Sequence, residues 1–331
     1  MGDIFARLLQ SAEPAVRVKL RVNVLGQDPY SLETMIQRHE IAASPLVQGL
    51  LAERDVSGRI PHHPYKKWVG AHWVLSVLAD LGYPPGDESV RPLMEQVYEW
   101  LFSREHEEGI VCIAGRTRRC ASQEGNAVYY SMALGLADER TEELVQRLIA
   151  WQWPDGGWNC DRRPEAAKSS FHETLIPMRG LVWHSRLTAA GDSGLAARRA
   201  AEVFLKRRLF RRQSDGSVID AEFARLHYPP YWHYDILCGL KALAEAGLVR
   251  DERCREALDL LETKRLPDGG FAAEGKYWTA GEKARSGRSS VSWGPASGRR
   301  LNEFVTVDAL QVLKAAGRLP WPPVLPLGYE G

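Results

Sequence analysis

The stretch Gln152-Trp153-Pro154-Asp155-Gly156-Gly157-Trp158 closes a helix-like apolar pattern with a polar, glycine-centred turn. Glycines permit a tight reversal, Asp and Gln side chains reach exposed amides at helix ends, and the Trp lies against a neighbouring helix. Similar turns occur within 51–60, 100–110, 204–217 and 261–271. Their glycines, Gly58, Gly109, Gly157, Gly216 and Gly270, recur at about fifty to sixty residues, the scale of helical-pair and other repeats.

Each turn is followed by a loop and a more apolar helix, expected at about 66–82, 124–138, 169–187, 230–247 and 302–317. Three of these align on a closing glycine, Gly82, Gly247 and Gly317, the residue type that stops a helix in the left-handed region. The helices before the turns, about 87–103, 141–151, 194–209 and 251–264, carry more charge and read as amphipathic helices with one wet face. Alternation of wetter and drier helices predicts two concentric layers with the drier set inside. A linear solenoid gives a similar alternation. Segments 3–26 and 31–53, also helical in pattern, supply an outer helix and the remaining inner one, for about six pairs. The expectation is an all-α chain, an α/α toroid forming one domain over 1–331, with 1–53 closing the ring.

With 331 residues, 44% hydrophobic and 26% charged, the chain has enough apolar material for one large core. The 43 Lys and Arg balance 42 Asp and Glu, which gives no global pull toward nucleic acid or an anionic membrane. Five cysteines without a short disulfide-type spacing point to a reducing compartment. No stretch approaches the ~20 apolar residues of a membrane span and no leader pattern opens the sequence, so a cytoplasmic location is expected.

Gln152, Asp155, Gly156 and Trp158 match the QW repeat of squalene-hopene and oxidosqualene cyclases, and Asp268-Gly269-Gly270-Phe271 resembles a degenerate copy. The chain thus resembles the terpenoid-cyclase and protein-prenyltransferase superfamily of α/α toroids. Gly157-Trp158-Asn159-Cys160, leading to Ser169-Ser170-Phe171-His172-Glu173, and Pro229 to Leu237 are similar to a group of bacterial prenyltransferase-like proteins with no assigned reaction.

The resemblance implies chemistry only in part. Class II cyclases protonate an alkene with an Asp-x-Asp-Asp element, and diphosphate-ionising terpene synthases hold magnesium with Asp-Asp-x-x-Asp; this sequence has no Asp-Asp pair. Protein prenyltransferases bind zinc through Asp, Cys and a later His, which here directs attention to Cys160, Asp161, His172, His233 and Asp235 as candidates for zinc. Without a metal, His172, Glu173, His233, Asp235 and Asp161 are the catalytic candidates, at the starts of two successive inner helices. Aromatic residues gather at the same helix starts. Trp68, His72, Tyr129, Tyr130, Phe171 and Trp232 are expected to line a substrate cavity, with Trp73, Tyr231 and Tyr234 close by. Segment 272–301, with Lys276, Tyr277, Trp278, Arg285, Arg288, Trp293, Arg299 and Arg300, is too long for a simple connector and reads as a lid or binding loop. Trp278 joins the substrate-binding candidates. Arg116 to Arg119 is expected at the same mouth, where an anionic group would be received.

Three functions are in view: an enzyme acting on an isoprenoid or other largely apolar small molecule inside the ring, a carbohydrate-active lyase or hydrolase, and a non-catalytic binding or partner subunit that works with another protein.

Overall fold

A computed structural model describes residues 2–280 and 287–319. The helices are α1 (Gly2–Leu9), α2 (Pro14–Lys19, continued by a π-helical turn Leu20–Val24), α3 (Leu32–Ala43), α4 (Pro45–Leu51), α5 (Ala71–Leu81), α6 (Arg91–Leu101) and α7 (Arg104–Glu108). A short antiparallel hairpin, β1 (Val111–Ile113) with β2 (Arg116–Arg118), leads to α8 (Ser122–Ala133), α9 (Glu139–Trp151), α10 (Phe171–Thr188), α11 (Gly191–Leu205), α12 (Ile236–Glu245) and α13 (Arg255–Thr263). A two-residue parallel pairing, β3 (Thr279–Ala280) with β4 (Arg288–Ser289), precedes α14 (Glu303–Ala315). Among the described residues no helix is long and apolar enough to cross a membrane.

Ring closure separates the toroid from a solenoid. The drier helices contact one another in the order α2, α5, α8, α10, α12, α14, and α14 returns to α2. Outside them α3 packs on α2, α6 on α5, α9 on α8, α11 on α10 and α13 on α12, while α1 lies against α2. The chain is an all-α toroid. The inner helix of the N-terminal segment is α2 with its π-turn, and α1, α3 and α4 are outer.

Polar side chains at the helix starts fix where the inner helices begin. Ser170 caps α10 through the Glu173 amide, Asp235 caps α12 through the Cys238 amide, and Asn302 caps α14 through the Phe304 and Val305 amides. The aligned glycines Gly82, Gly247 and Gly317 take φ of 81°, 72° and 73°, the expected left-handed stops.

The turn at 152–158 is tied to three helices. The Gln152 side-chain amide donates to the carbonyls of Gly156 (2.7 Å) and Ala196 in α11 (2.8 Å), so it satisfies carbonyls where the sequence suggested amides. Asp155 accepts from the amide (2.7 Å) and hydroxyl (2.5 Å) of Ser169, just ahead of α10. Trp158, 1% exposed, donates from Nε1 to the Leu148 carbonyl in α9 (3.0 Å). Gly156 has φ of 104°, and a Cβ there would lie 2.3 Å from the Arg199 carbonyl oxygen.

Two expectations change. The inner helices expected from 66 and from 230 begin only at Ala71 and Ile236, after irregular segments. Of the basic run 116–119, Arg116–Arg118 form the hairpin strand β2 and Arg119 follows it, so the run is not an open anion-binding loop. Arg118 is buried, donates to the carbonyls of Ile113, Asp161 and Ala166, and stacks on Trp153. Arg119 donates to buried His106, which in turn sits 2.7 Å from Glu124.

Candidate functional site

The ring axis holds charge. Asp80 of α5 accepts from Lys241 Nζ of α12 (2.8 Å), Lys19 Nζ of α2 (3.2 Å), Arg179 of α10 (3.3 Å) and the Tyr228 hydroxyl (3.0 Å). Asp308 of α14 lies 2.6 Å from Lys19 and 2.8 Å from Lys241, and Arg179 makes a two-bond fork to Glu245 at 2.7 Å each. Three cations and three carboxylates from five inner helices therefore balance in a buried floor. Burial by itself would raise the Asp80 carboxyl, but Lys19, Lys241 and Arg179 outweigh it and hold the group well below the usual carboxylate range.

Against this floor lies a cavity of about 40 Å³, apolar along Leu175, Ile176, Pro230 and Leu237 and polar at Ser76, Asn126, His227, His233, Lys241 and Asp308. That is room for about three water molecules. Neither a prenyl chain nor a sugar ring fits that volume while the loops over it stay closed.

One wall of the cavity carries a histidine–carboxylate pair. Asp235 Oδ1 accepts the Cys238 amide (2.8 Å), the cap of α12, and Oδ2 accepts the His227 amide (2.8 Å). The same Oδ2 lies 2.7 Å from His227 Nδ1, with both side chains at most 1% exposed. Burial opposes charge on both groups. The pair overcomes it, so His227 is raised and Asp235 lowered relative to their ordinary values. His227 Nε2 is 3.4 Å from the Pro230 carbonyl.

The mouth is closed by aromatic stacking. Tyr231 lies on Trp68 (centroids 4.3 Å apart), Trp232 on His172 (4.5 Å) and His233 on Tyr277 (3.7 Å). Trp68 donates to the Tyr277 carbonyl (2.8 Å) and Trp278 to the Tyr228 carbonyl (3.2 Å), so the segment after residue 272 and the loop before α12 lock together. Tyr231 holds φ of 39°, a strained left-handed value for a non-glycine residue. Arg285 lies outside the described residues.

The candidates named from the sequence fall in different places. His233 lines the cavity and is pushed down to about 3, first by burial and then by the charge of His227 and Lys67, so it is neutral at ordinary pH. Asp235 is present, but its partner is His227. His172 is at the mouth beside Trp232, lowered mainly by burial. Glu173 is buried beneath it, accepting from the Ser122 amide (3.0 Å) and Trp232 Nε1 (3.3 Å). Asp161 faces outward and forks to Arg163. Tyr129 lines the cavity under the Arg179 guanidinium. His72 is buried in a relay in which the Ser76 hydroxyl meets Asn126 (3.0 Å), Asn126 Nδ2 meets His72 Nε2 (3.2 Å) and His72 Nδ1 meets the Tyr130 hydroxyl (3.2 Å). Burial pushes His72 down to about 3. Phe171 packs on Phe204, Phe223 and Tyr234 as core. Cys160, His172 and His233 do not form a ligand set; Cys160 instead groups with Cys120 and Glu173.

His227 and the floor residues were not foreseen. The floor had a sequence signal: Asp80, Lys241 and Asp308 are charges inside the driest helices. His227 had none, since its approach to Asp235 depends on the loop between them.

No family model matches the chain, and no curated protein matches it. Solved structures similar to it include a polysaccharide lyase (14% identity, covering 92% of this chain and 90% of that one, TM-score 0.47). An α-1,6-mannanase from Salegentibacter is similar at 9% identity over 96% and 97% of the two chains, TM-score 0.44. A type II terpene cyclase from Scytonema, bound to geranylgeranyl dihydroxybenzoate, is similar at 15% over 94% and 90%, TM-score 0.41. At these values the likeness carries no inference about the chain's reaction.

Proposed function

We propose that the protein is an enzyme that carries out acid–base chemistry on a small polar substrate inside the ring, with His227 and Asp235 as the working pair. The observation that supports this reading is the ionic floor beside the cavity. The cavity has an apolar side of Leu175, Ile176, Pro230 and Leu237, and opposite it Ser76, Asn126 and His233 offer polar atoms suited to substrate hydroxyls. The buried charges beside the cavity are the reason for preferring the carbohydrate-active reading to the isoprenoid one in this proposal.

In this reading Asp235 orients the imidazole and stabilises its charged form, leaving Nε2 to exchange a proton with substrate. The chain acts as one toroid domain. Residues 226–235, with 272–280 and 287–301, act as a lid, because the stacked pairs at the mouth must part for a substrate to enter. The strained Tyr231 backbone and aromatic faces, which can also stack on sugar rings, suit that role.

The test is thermal-shift binding of galacturonate and glucuronate beside farnesyl diphosphate, followed by turnover assays with His227→Gln. Uronates are expected to raise the melting midpoint, and the variant to bind without turnover. Stabilisation by farnesyl diphosphate alone would reverse the choice of substrate class.

A further inference from the structure

Away from the cavity, three side chains with metal-ligand chemistry meet from three segments. Cys120 stands just ahead of α8, Cys160 follows the turn at 152–158, and Glu173 is in the first turn of α10. One ligand atom from each, two thiol sulfurs and a carboxylate oxygen, lies within 4.8 Å of the other two. Tetrahedral zinc with sulfur at about 2.3 Å sets neighbouring sulfurs about 3.8 Å apart, so small side-chain rotations suffice.

The surroundings fit a cation. Glu173 is 2% exposed, and the amide and indole donors of Ser122 and Trp232 are neutral. Among the described residues no Lys, Arg or His forms an ion pair with it. A buried carboxylate in that state is costly unless a cation or proton joins it. The cluster is also held from behind. The Ser122 amide orients one oxygen of Glu173 and Trp232 the other. The Cys160 loop is pinned by Asn159 donating to the Lys168 carbonyl (2.9 Å) and by Arg118 donating to the Asp161 carbonyl (3.0 Å). Such supporting contacts are what orient metal ligands.

We infer that Cys120, Cys160 and Glu173 form a zinc site, distinct from the cavity pair. Two thiolates select a soft or borderline ion over magnesium or calcium, and one carboxylate with two thiolates suits zinc. Three protein ligands leave a fourth position open, the composition of zinc sites that take a water or an exogenous ligand. The set differs from the one that the prenyltransferase resemblance implied, because Cys120 and Glu173 replace the two histidines.

The test uses the full-length protein purified under reducing conditions without chelator. Elemental analysis is expected to find about one zinc per chain, and cobalt(II) added to stripped protein is expected to give thiolate-to-cobalt charge-transfer bands and tetrahedral d–d bands. Cys120→Ser and Cys160→Ser should weaken cobalt binding by at least about tenfold, while Cys238→Ser should not. Because a serine variant can fail to fold, alkylation of the wild type is the companion measurement. Zinc should slow the reaction of Cys120 and Cys160 by about tenfold or more and leave exposed Cys112 unchanged. Absence of both zinc and a thiolate–cobalt spectrum, equal protection of Cys112, or a Cys120–Cys160 disulfide in protein isolated without oxygen would each overturn the assignment. None of these outcomes bears on His227 and Asp235.

Discussion

Replacing Asp80 by Asn tests the ionic floor directly. The carboxylate is 2% exposed at its side chain and sits within 3.3 Å of three cationic groups and the Tyr228 hydroxyl. In the wild type, Lys19, Arg179 and Lys241 are balanced by Asp80, Asp308 and Glu245. Asp80→Asn preserves shape but leaves one buried positive charge uncompensated. Removal of one partner from a buried ionic group costs about 3–5 kcal/mol. A chain of this length has an unfolding entropy of about 0.7 kcal/mol per kelvin, so the melting midpoint should fall by about 4–7 °C. The double variant Asp80→Asn/Lys241→Met restores neutrality and should lose less than the sum of the two single losses, with a coupling of about 1 kcal/mol or more. The pH dependence has a definite sign. Because Asp80 is held below its ordinary value, its contribution is complete above about pH 4 and is lost as pH falls through the folded value. In Asp80→Asn that acid-side loss should disappear. Thermal melts of the four proteins across pH provide the assay. A single variant within about 1 kcal/mol of wild type, or a double variant with strictly additive losses, would refute the balanced-floor argument.

His227 is raised by Asp235 despite its burial and Asp235 is lowered in turn, so the stability from this pair is fully present between about pH 4 and pH 6.5, is lost as pH rises through the raised His227 value and is lost again as pH falls through the lowered Asp235 value. His227→Gln should flatten that part of the pH–stability curve, and imidazole NMR titration of the wild type checks the direction independently. Gly156→Ala forces an alanine to φ of 104° and places its Cβ against the Arg199 carbonyl oxygen; a loss of about 2 kcal/mol or more in urea denaturation is expected, and a neutral result would remove the turn from the scaffold. Trp68→Ala removes the stack on Tyr231, worth about 1 kcal/mol, so alkylation of Cys238 at the cavity wall should quicken about fivefold, and an unchanged rate would mean that this stack does not gate entry. His72, pushed down to about 3, should show no NMR titration between pH 5 and 8.

The repeat of glycine turns, the drier and wetter helices and their closing glycines determined an all-α layered fold, because turn chemistry and apolar periodicity are local properties of the chain. Gln152, Asp155 and Trp158 were legible as scaffold for the same reason, although the direction of the Gln152 hydrogen bonds was not. The sequence also pointed to Asp235 and Cys160 as chemically relevant. Their partners depended on tertiary structure. His227 reaches Asp235 through a folded loop, and Cys120 reaches Cys160 and Glu173 only when α8 and α10 pack side by side. Ring closure itself was undetermined by the period, since a solenoid repeats equally well; contact between α14 and α2 decides it. That closure also gives Asp80, Lys241 and Asp308 their meaning. Along the chain they are isolated charges in apolar helices, and only around a common axis does each find the opposite charge that permits its burial.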